Sequence, residues 1–198
     1  MLVLCLTAAC GSSERVDGGL DAGADGGARD GDAGDAGAEA CGASGSGASS
    51  CWTDPSSGLV WAHQDLAPLC GFQAAVDYCE GLTACGASDF RLPNIDELRS
   101  SIRGCPGTVT GGACPVHDGS TAADYTSDCF CDPFAGSGPG GCYWDATFGD
   151  RCGFGGWPYW SSSRSGPLTT WSVAFHTGNL INGFDMMDSY RVRCVRSM

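Results

Sequence analysis

The sequence predicts an α+β fold, and three observations predict it. Two stretches between residues 72 and 104 repeat their apolar residues at three and four positions, as amphipathic helices do. The C-terminal forty residues instead alternate apolar and polar side chains, the period of half-buried strands. Between them lie 54 residues, Gly104 to Trp157, rich in glycine and cysteine and nearly without periodicity. Helices first, a long irregular insert, then antiparallel strands make the order of an α+β domain rather than an alternating parallel one.

Taken in chain order, Met1 to Cys10 form an apolar run that closes on small residues, as the end of a secretory signal does. Leu6-Thr-Ala-Ala-Cys10 resembles the lipobox of bacterial lipoproteins, which implies lipidation of Cys10 on sulfur and attachment to a membrane surface. Residues 11–50 follow as a tether. Of these 40 residues 12 are Gly, 9 Ala, 8 Asp or Glu and 6 Ser, and all 19 aromatic residues of the chain come later, so this segment has nothing with which to build a core. As a flexible coil it would span about 35 Å. Its aspartates lack the spacing of a calcium loop, and its three glycine triplets are too few for a collagen helix.

Residues 51–198 are the expected folded domain, long enough to bury about 70% of the surface that the unfolded chain exposes. Gly58 to Ala62 is a short apolar strand. Phe72, Ala75, Val76, Cys79 and Leu82 make one helical stripe, stopped by Gly81 and Gly86. Asn94 is placed as an N-cap, with Glu97 three residues on as in a capping box, and the second helix buries Ile95, Leu98 and Ile102 before Gly104. Strands are expected at Pro158 to Ser162, through Trp171, Val173 and Phe175, and as one continuous run from Tyr190 through Val192 to Cys194.

The charge excludes one class of partner. The chain has 23 acidic residues against ten basic ones, all arginine, for a net charge of −13, which opposes nucleic-acid binding through phosphate neutralisation. Twelve cysteines stand after Cys10, from Cys41 to Cys194, an even and dense set that reads as up to six disulfides formed outside the reducing cytosol. Zinc would need Cys-x-x-Cys or Cys/His pairs; the one close pair is Cys129-x-Cys131.

Five strings carry a resemblance. Asp54-Pro-Ser-Ser-Gly-Leu-Val-Trp61, Ala74-x-x-x-Tyr78-Cys79, Asp89-Phe-Arg-Leu-Pro-Asn-Ile-Asp-Glu-Leu98, Tyr159-Trp-Ser-Ser-Ser163 and Val192-Arg-Cys-Val-Arg196, in that order, are similar to the motifs of the Lcl C-terminal domain family. The resemblance implies a C-type-lectin-like fold related to the formylglycine-generating-enzyme group, in bacterial surface and secreted proteins. It also implies a disulfide between Cys79 on the first helix and Cys194 on the last strand. The adhesin for which the family is named is associated with sulfated polysaccharides, a ligand that would require Arg151 and Arg164 to cluster with Arg191, Arg193 and Arg196.

No catalytic constellation stands out. Arg91 and Glu97 read as a charge-assisted pair locking a loop to the second helix. Ser161 to Ser163 lack a nucleophile elbow and an acid-base partner. His63, His117 and His176 are isolated from one another, so no metal and no cofactor is expected. The calcium strings of sugar-binding lectin relatives are absent, Trp144-Asp145 being the nearest fragment, and the copper-binding thiol pair of formylglycine-generating relatives would have to come from cysteines expected to be oxidised. What remains is a recognition surface on the insert. Tyr143, Trp144 and Trp157, with Arg151 and Arg164, are the candidate ligand-binding residues, the rings stacking on sugar or docking an apolar partner. The expectation is a surface-anchored lipoprotein with a non-catalytic binding or adhesion module for an extracellular glycan or protein. The alternatives are an enzyme of the formylglycine-generating type and a purely structural envelope protein.

Overall fold

A computed structural model describes residues 41, 50–63, 69–149, 152, 157–184 and 188–198, all within one compact unit, Ala36–Met198. Cys10 and Arg151 lie outside the described residues. The elements are β1 (Ser50–Thr53), β2 (Leu59–His63), β3 (Leu69–Cys70), α1 (Phe72–Glu80), α2 (Ile95–Ser100), β4 (Tyr159–Gly166), β5 (Thr169–Ala174), β6 (Asn179–Phe184), β7 (Tyr190–Arg191) and β8 (Val195–Ser197). No helix among the described residues is long and apolar enough to cross a membrane.

Local chemistry sets both helices. Gly71 opens α1 in extended geometry and Gly81 closes it, with Phe72, Ala75 and Cys79 buried along one face. In α2 the Asn94 side chain accepts from the Glu97 amide at 2.8 Å, and the Glu97 carboxylate accepts from the Asn94 amide at 2.8 Å, so each satisfies a backbone donor that the first turn would leave open. The helix stops at Ser100, two residues short of Ile102. There the Ser100 and Ser101 hydroxyls donate to the Glu97 and Leu98 carbonyls, drawing the last turn tight.

The strands form two sheets. The first, in the order β1-β2-β8, is antiparallel; the second, β3-β7-β4-β5-β6, is antiparallel except that β7 runs parallel to β4 at Tyr159 and Arg191. The single C-terminal strand expected through Tyr190 and Cys194 is therefore two. Tyr190–Arg191 belongs to the second sheet, Val195–Ser197 pairs with Leu59–Trp61 in the first, and the chain crosses between them at Val192–Cys194, all three buried.

β4 has core on both faces. Trp160 looks toward α1, into a cluster of Phe72, Ala75, Cys79, Phe90, Leu92 and Val192, and its indole nitrogen donates to the Cys70 carbonyl at 2.8 Å. Tyr159, one residue earlier and so on the opposite face, joins Trp61, Ile95, Leu98, Trp144, Phe148 and Trp171 in the second cluster. The insert thus supplies half of that core.

Six disulfides bind these parts: Cys41–Cys70, Cys51–Cys85, Cys79–Cys194, Cys105–Cys131, Cys114–Cys129 and Cys142–Cys152. Cys79 of α1 meets Cys194 across 115 residues of sequence. Three bridges lie wholly inside the insert, which has almost no regular hydrogen bonding of its own. Such dense cross-linking fits a protein of an oxidising, extracellular environment.

Candidate functional site

The insert sorts its aromatic rings into two populations. Tyr143 and Trp144 are 2% and 1% exposed and Phe148 is buried with them. Tyr125, Phe130 and Phe134 stand out at 40%, 52% and 59% exposure. Large apolar groups grouped at a surface mark recognition sites more often than packing.

These three rings sit on one rail. The segment 125–134 runs along the turn joining β5 to β6: the Cys131 amide donates to the Thr177 carbonyl at 2.9 Å, the Phe134 amide to the His176 carbonyl at 2.7 Å, and Leu180 returns a bond to the Cys129 carbonyl at 3.0 Å. Cys129 and Cys131 are tied to Cys114 and Cys105, so Phe130 is held by a disulfide on each side. Cys129 is fully buried and Cys131 packs against the core, while Phe130 between them faces solvent. Tyr125 lies flat on Trp171, centroids 6.4 Å apart at 18°, and its hydroxyl donates to Asn179 at 2.9 Å. Gly107 packs so close beneath that a Cβ there would overlap the Asp128 carbonyl. Phe134 has φ of +56°, a left-handed conformation that a bulky side chain adopts only under constraint, and such strained residues cluster at functional sites.

The positions chosen from sequence distribute differently. Tyr143 and Trp144 are buried in the core: Trp144 packs on Phe148, Tyr159 and Phe175, and the Tyr143 hydroxyl donates to the Asp132 carbonyl at 2.7 Å, with burial pushing its pKa up. Trp157 is 42% exposed. Arg164 is exposed on β4, its guanidinium 4.5 Å from the Phe72 ring centroid over α1, apart from the insert's rings. Phe130 and Phe134 were legible only as members of the insert's aromatic set; the Cys-Phe-Cys triplet was the signal that singles out Phe130.

Of the arginines required for a sulfated ligand, two are engaged within the fold. Arg193 is buried among Trp144, Phe148 and Tyr159 and donates to the Phe148 carbonyl. Arg196 is paired with Asp89 at 2.6 Å.

The insert also walls a cleft of about 360 Å³, lined by Arg103, Ser137, Gly138, Pro139, Trp144 and Asp145. The Thr147 amide and hydroxyl hold the Asp145 carboxyl below the ordinary carboxylate range. Asp54 is also held low: burial alone would raise it, but donation from the Ser56 hydroxyl and amide and the Ser57 hydroxyl prevails, with Arg103 adding attraction. Arg103 itself donates to the Ser100 and Ile102 carbonyls.

The other polar candidates are structural. Arg91 and Glu97 form a two-pronged pair at 2.7 and 2.6 Å that fastens the loop before α2 to its first turn. The Ser161 hydroxyl donates to the Trp171 carbonyl, and that of Ser163 donates to Asp118 while accepting from the Ile95 amide. Ser161 is thus held by a backbone carbonyl, and Ser163 bridges the Asp118 carboxylate and the first turn of α2. All twelve cysteines from Cys41 to Cys194 are in disulfides, so they offer no thiol pair for copper.

Comparison with known protein families shows that the family model described as Lcl C-terminal domain matches residues 50–196. No curated protein matches the chain.

Proposed function

Since the chain belongs to the Lcl C-terminal domain family, we propose that it is a non-catalytic extracellular binding module, tethered to a cell surface through Cys10, that takes a glycan on the exposed rings of its insert. The observation that carries this reading is the rail itself: Tyr125, Phe130 and Phe134 exposed together on backbone fixed by two disulfides. Rings ordered before the ligand arrives lose little entropy on binding, and a flat apolar face is what the C–H face of a pyranose packs against. A disulfide-rich scaffold suits a protein that works outside the cell, and a long Gly/Ala/Asp tether would let the module reach beyond its anchor.

The test is a glycan array probed with the oxidised domain and with Phe130→Ala/Phe134→Ala. An aromatic contact contributes about 0.5–1.5 kcal/mol beyond area burial, so losing two rings should weaken a genuine ligand about tenfold or more. Binding that the double variant retains in full places the ligand elsewhere, and an array blank for the folded protein sinks the reading. Mass spectrometry of the protein recovered from membranes, with Cys10→Ser as control, tests the anchor: acyl mass on Cys10 is expected.

A further inference from the structure

From Gly104 to Asp150 the insert carries side-chain charge of one sign only. Between Arg103 and Arg151 the sequence holds no lysine and no arginine, yet it carries Asp118, Asp124, Asp128, Asp132, Asp145 and Asp150. Three of these interleave with the exposed rings: Asp124 beside Tyr125, Asp128 two residues before Phe130, Asp132 two residues before Phe134, and all three are exposed. None of them is in an ion pair among the described residues. Asp124 accepts from the Thr121 amide and hydroxyl, neutral donors that leave its charge in place.

Among the described residues, the cations that touch the insert do not reach this face. Arg99 is buried, its guanidinium held by the carbonyls of Thr108, Val109, Cys114 and Val116. Arg193 is buried among rings, and Arg103 lies in the separate cleft, where it acts on Asp54 and Asp145. The one titratable base at the rail is His176, whose imidazole burial keeps toward the neutral form.

Rings and carboxylates on one rail have a common complement. An aromatic face attracts a cation through its quadrupole, a carboxylate attracts it directly, and both repel or desolvate a sulfate. From this charge complementarity we infer that the ligand of the rail is a glycan bearing free amines, an amino-sugar polymer whose pyranose faces stack on Tyr125, Phe130 and Phe134 while its ammonium groups meet Asp124, Asp128 and Asp132. This rests on the glycan reading above and names its chemical class. It also departs from the sulfated polysaccharides that the family resemblance suggests.

The experiment compares four probes on the oxidised full domain by titration calorimetry, at a pH where the amines are protonated: a β-1,4-linked glucosamine hexamer, its N-acetylated counterpart, heparin, and oligolysine of matched charge. The amine hexamer should bind at least tenfold tighter than the acetylated one. Phe130→Ala/Phe134→Ala should weaken it at least tenfold at unchanged charge. Asp128→Asn/Asp132→Asn should cut the preference for the amine form below threefold while leaving the acetylated hexamer untouched. Equal or tighter binding of the acetylated hexamer or heparin, lost in the ring variant, would overturn the charge assignment but keep the glycan function. Preference for oligolysine would point to a basic protein partner and overturn the inference, and amine binding indifferent to the ring variant would expose it as attraction to the acidic chain at large. Failure of all four probes would overturn the inference and remove its support for the glycan reading.

Discussion

The Phe134 amide donates to the His176 carbonyl at 2.7 Å while the two rings lie 5.5 Å apart, so the most exposed ring among the insert's described residues is fastened to the β5–β6 turn by both backbone and side chain. That fastening holds Phe134 at φ of +56°. Left-handed backbone costs a residue with a Cβ about 1–2 kcal/mol relative to its ordinary conformations, and glycine escapes that cost.

Phe134→Gly should therefore leave thermal stability unchanged or raise it slightly, because relief of the backbone roughly offsets the lost contact with His176. The same variant should weaken ligand binding. Phe148→Ala, which empties a buried position among Trp52, Trp61 and Trp144, should lower stability by about 3–5 kcal/mol. Chemical denaturation of the two variants separates a ring kept for binding from a ring kept for the core; a Phe134→Gly loss as large as that of Phe148→Ala would make Phe134 structural.

His176 gives the fold a pH dependence of definite sign. Its Nδ1 is buried without a hydrogen-bond partner among the described residues, and burial holds its pKa below the ordinary 6.5. The unfolded chain takes up the proton near 6.5 while the folded one resists it, so stability is complete above that value and declines as pH falls from about 6.5 toward the folded pKa. Melting temperature followed from pH 8 to 5 should show this decline, and His176→Phe should flatten it. A His176→Phe curve parallel to wild type would assign the decline to other groups.

What was legible in the sequence was local. The capping box of Asn94 and Glu97 and the Arg91–Glu97 pair join residues within six positions of each other, so spacing alone reveals them. The end of the chain was not legible in this way. Tyr190, Val192 and Cys194 alternate as one strand would, but Arg193 turns inward against Trp144, Phe148 and Tyr159, partners about 35 to 50 residues away, and the strand breaks there. β6 shows no strand alternation in the sequence; within it Gly183 lies where the Tyr190 ring occupies the space a Cβ would take. In the insert the sequence marks the rings as a set, but which of them face the core depends on cysteine pairing, and pairing is a tertiary fact. Tyr143 and Trp144 therefore looked as available as Phe130.

The start of α2 offers a test of coupling. Asn94→Ala removes the acceptor for the Glu97 amide and should cost about 1 kcal/mol. Glu97→Ala removes the acceptor for the Asn94 amide together with the Arg91 pair. Because the Arg91 side chain is 43% exposed, the pair adds only a modest amount, and the total should be about 1–2 kcal/mol. The double variant should lose less than the sum, since each single change already breaks the box. Strict additivity in urea denaturation would mean that the two bonds act independently.

The Cys114–Cys129 bridge links stability to the binding face. It closes a loop with a separation of 15 residues, for which restriction of the unfolded chain accounts for about 3 kcal/mol. Cys114→Ala/Cys129→Ala should therefore unfold at lower denaturant by that amount. Phe130 would then keep only the Cys105–Cys131 bridge beside it, and the rail would have more conformations to lose on binding. The glucosamine hexamer should bind this variant more weakly, with a less favourable entropy, under conditions where circular dichroism still reports the native strands. Removing Cys142–Cys152 shortens no constraint on the rail, so that double variant should lose stability while keeping its affinity. If both bridge variants lost affinity alike, order across the whole insert, rather than the clamp on Phe130, would be what prepares the surface.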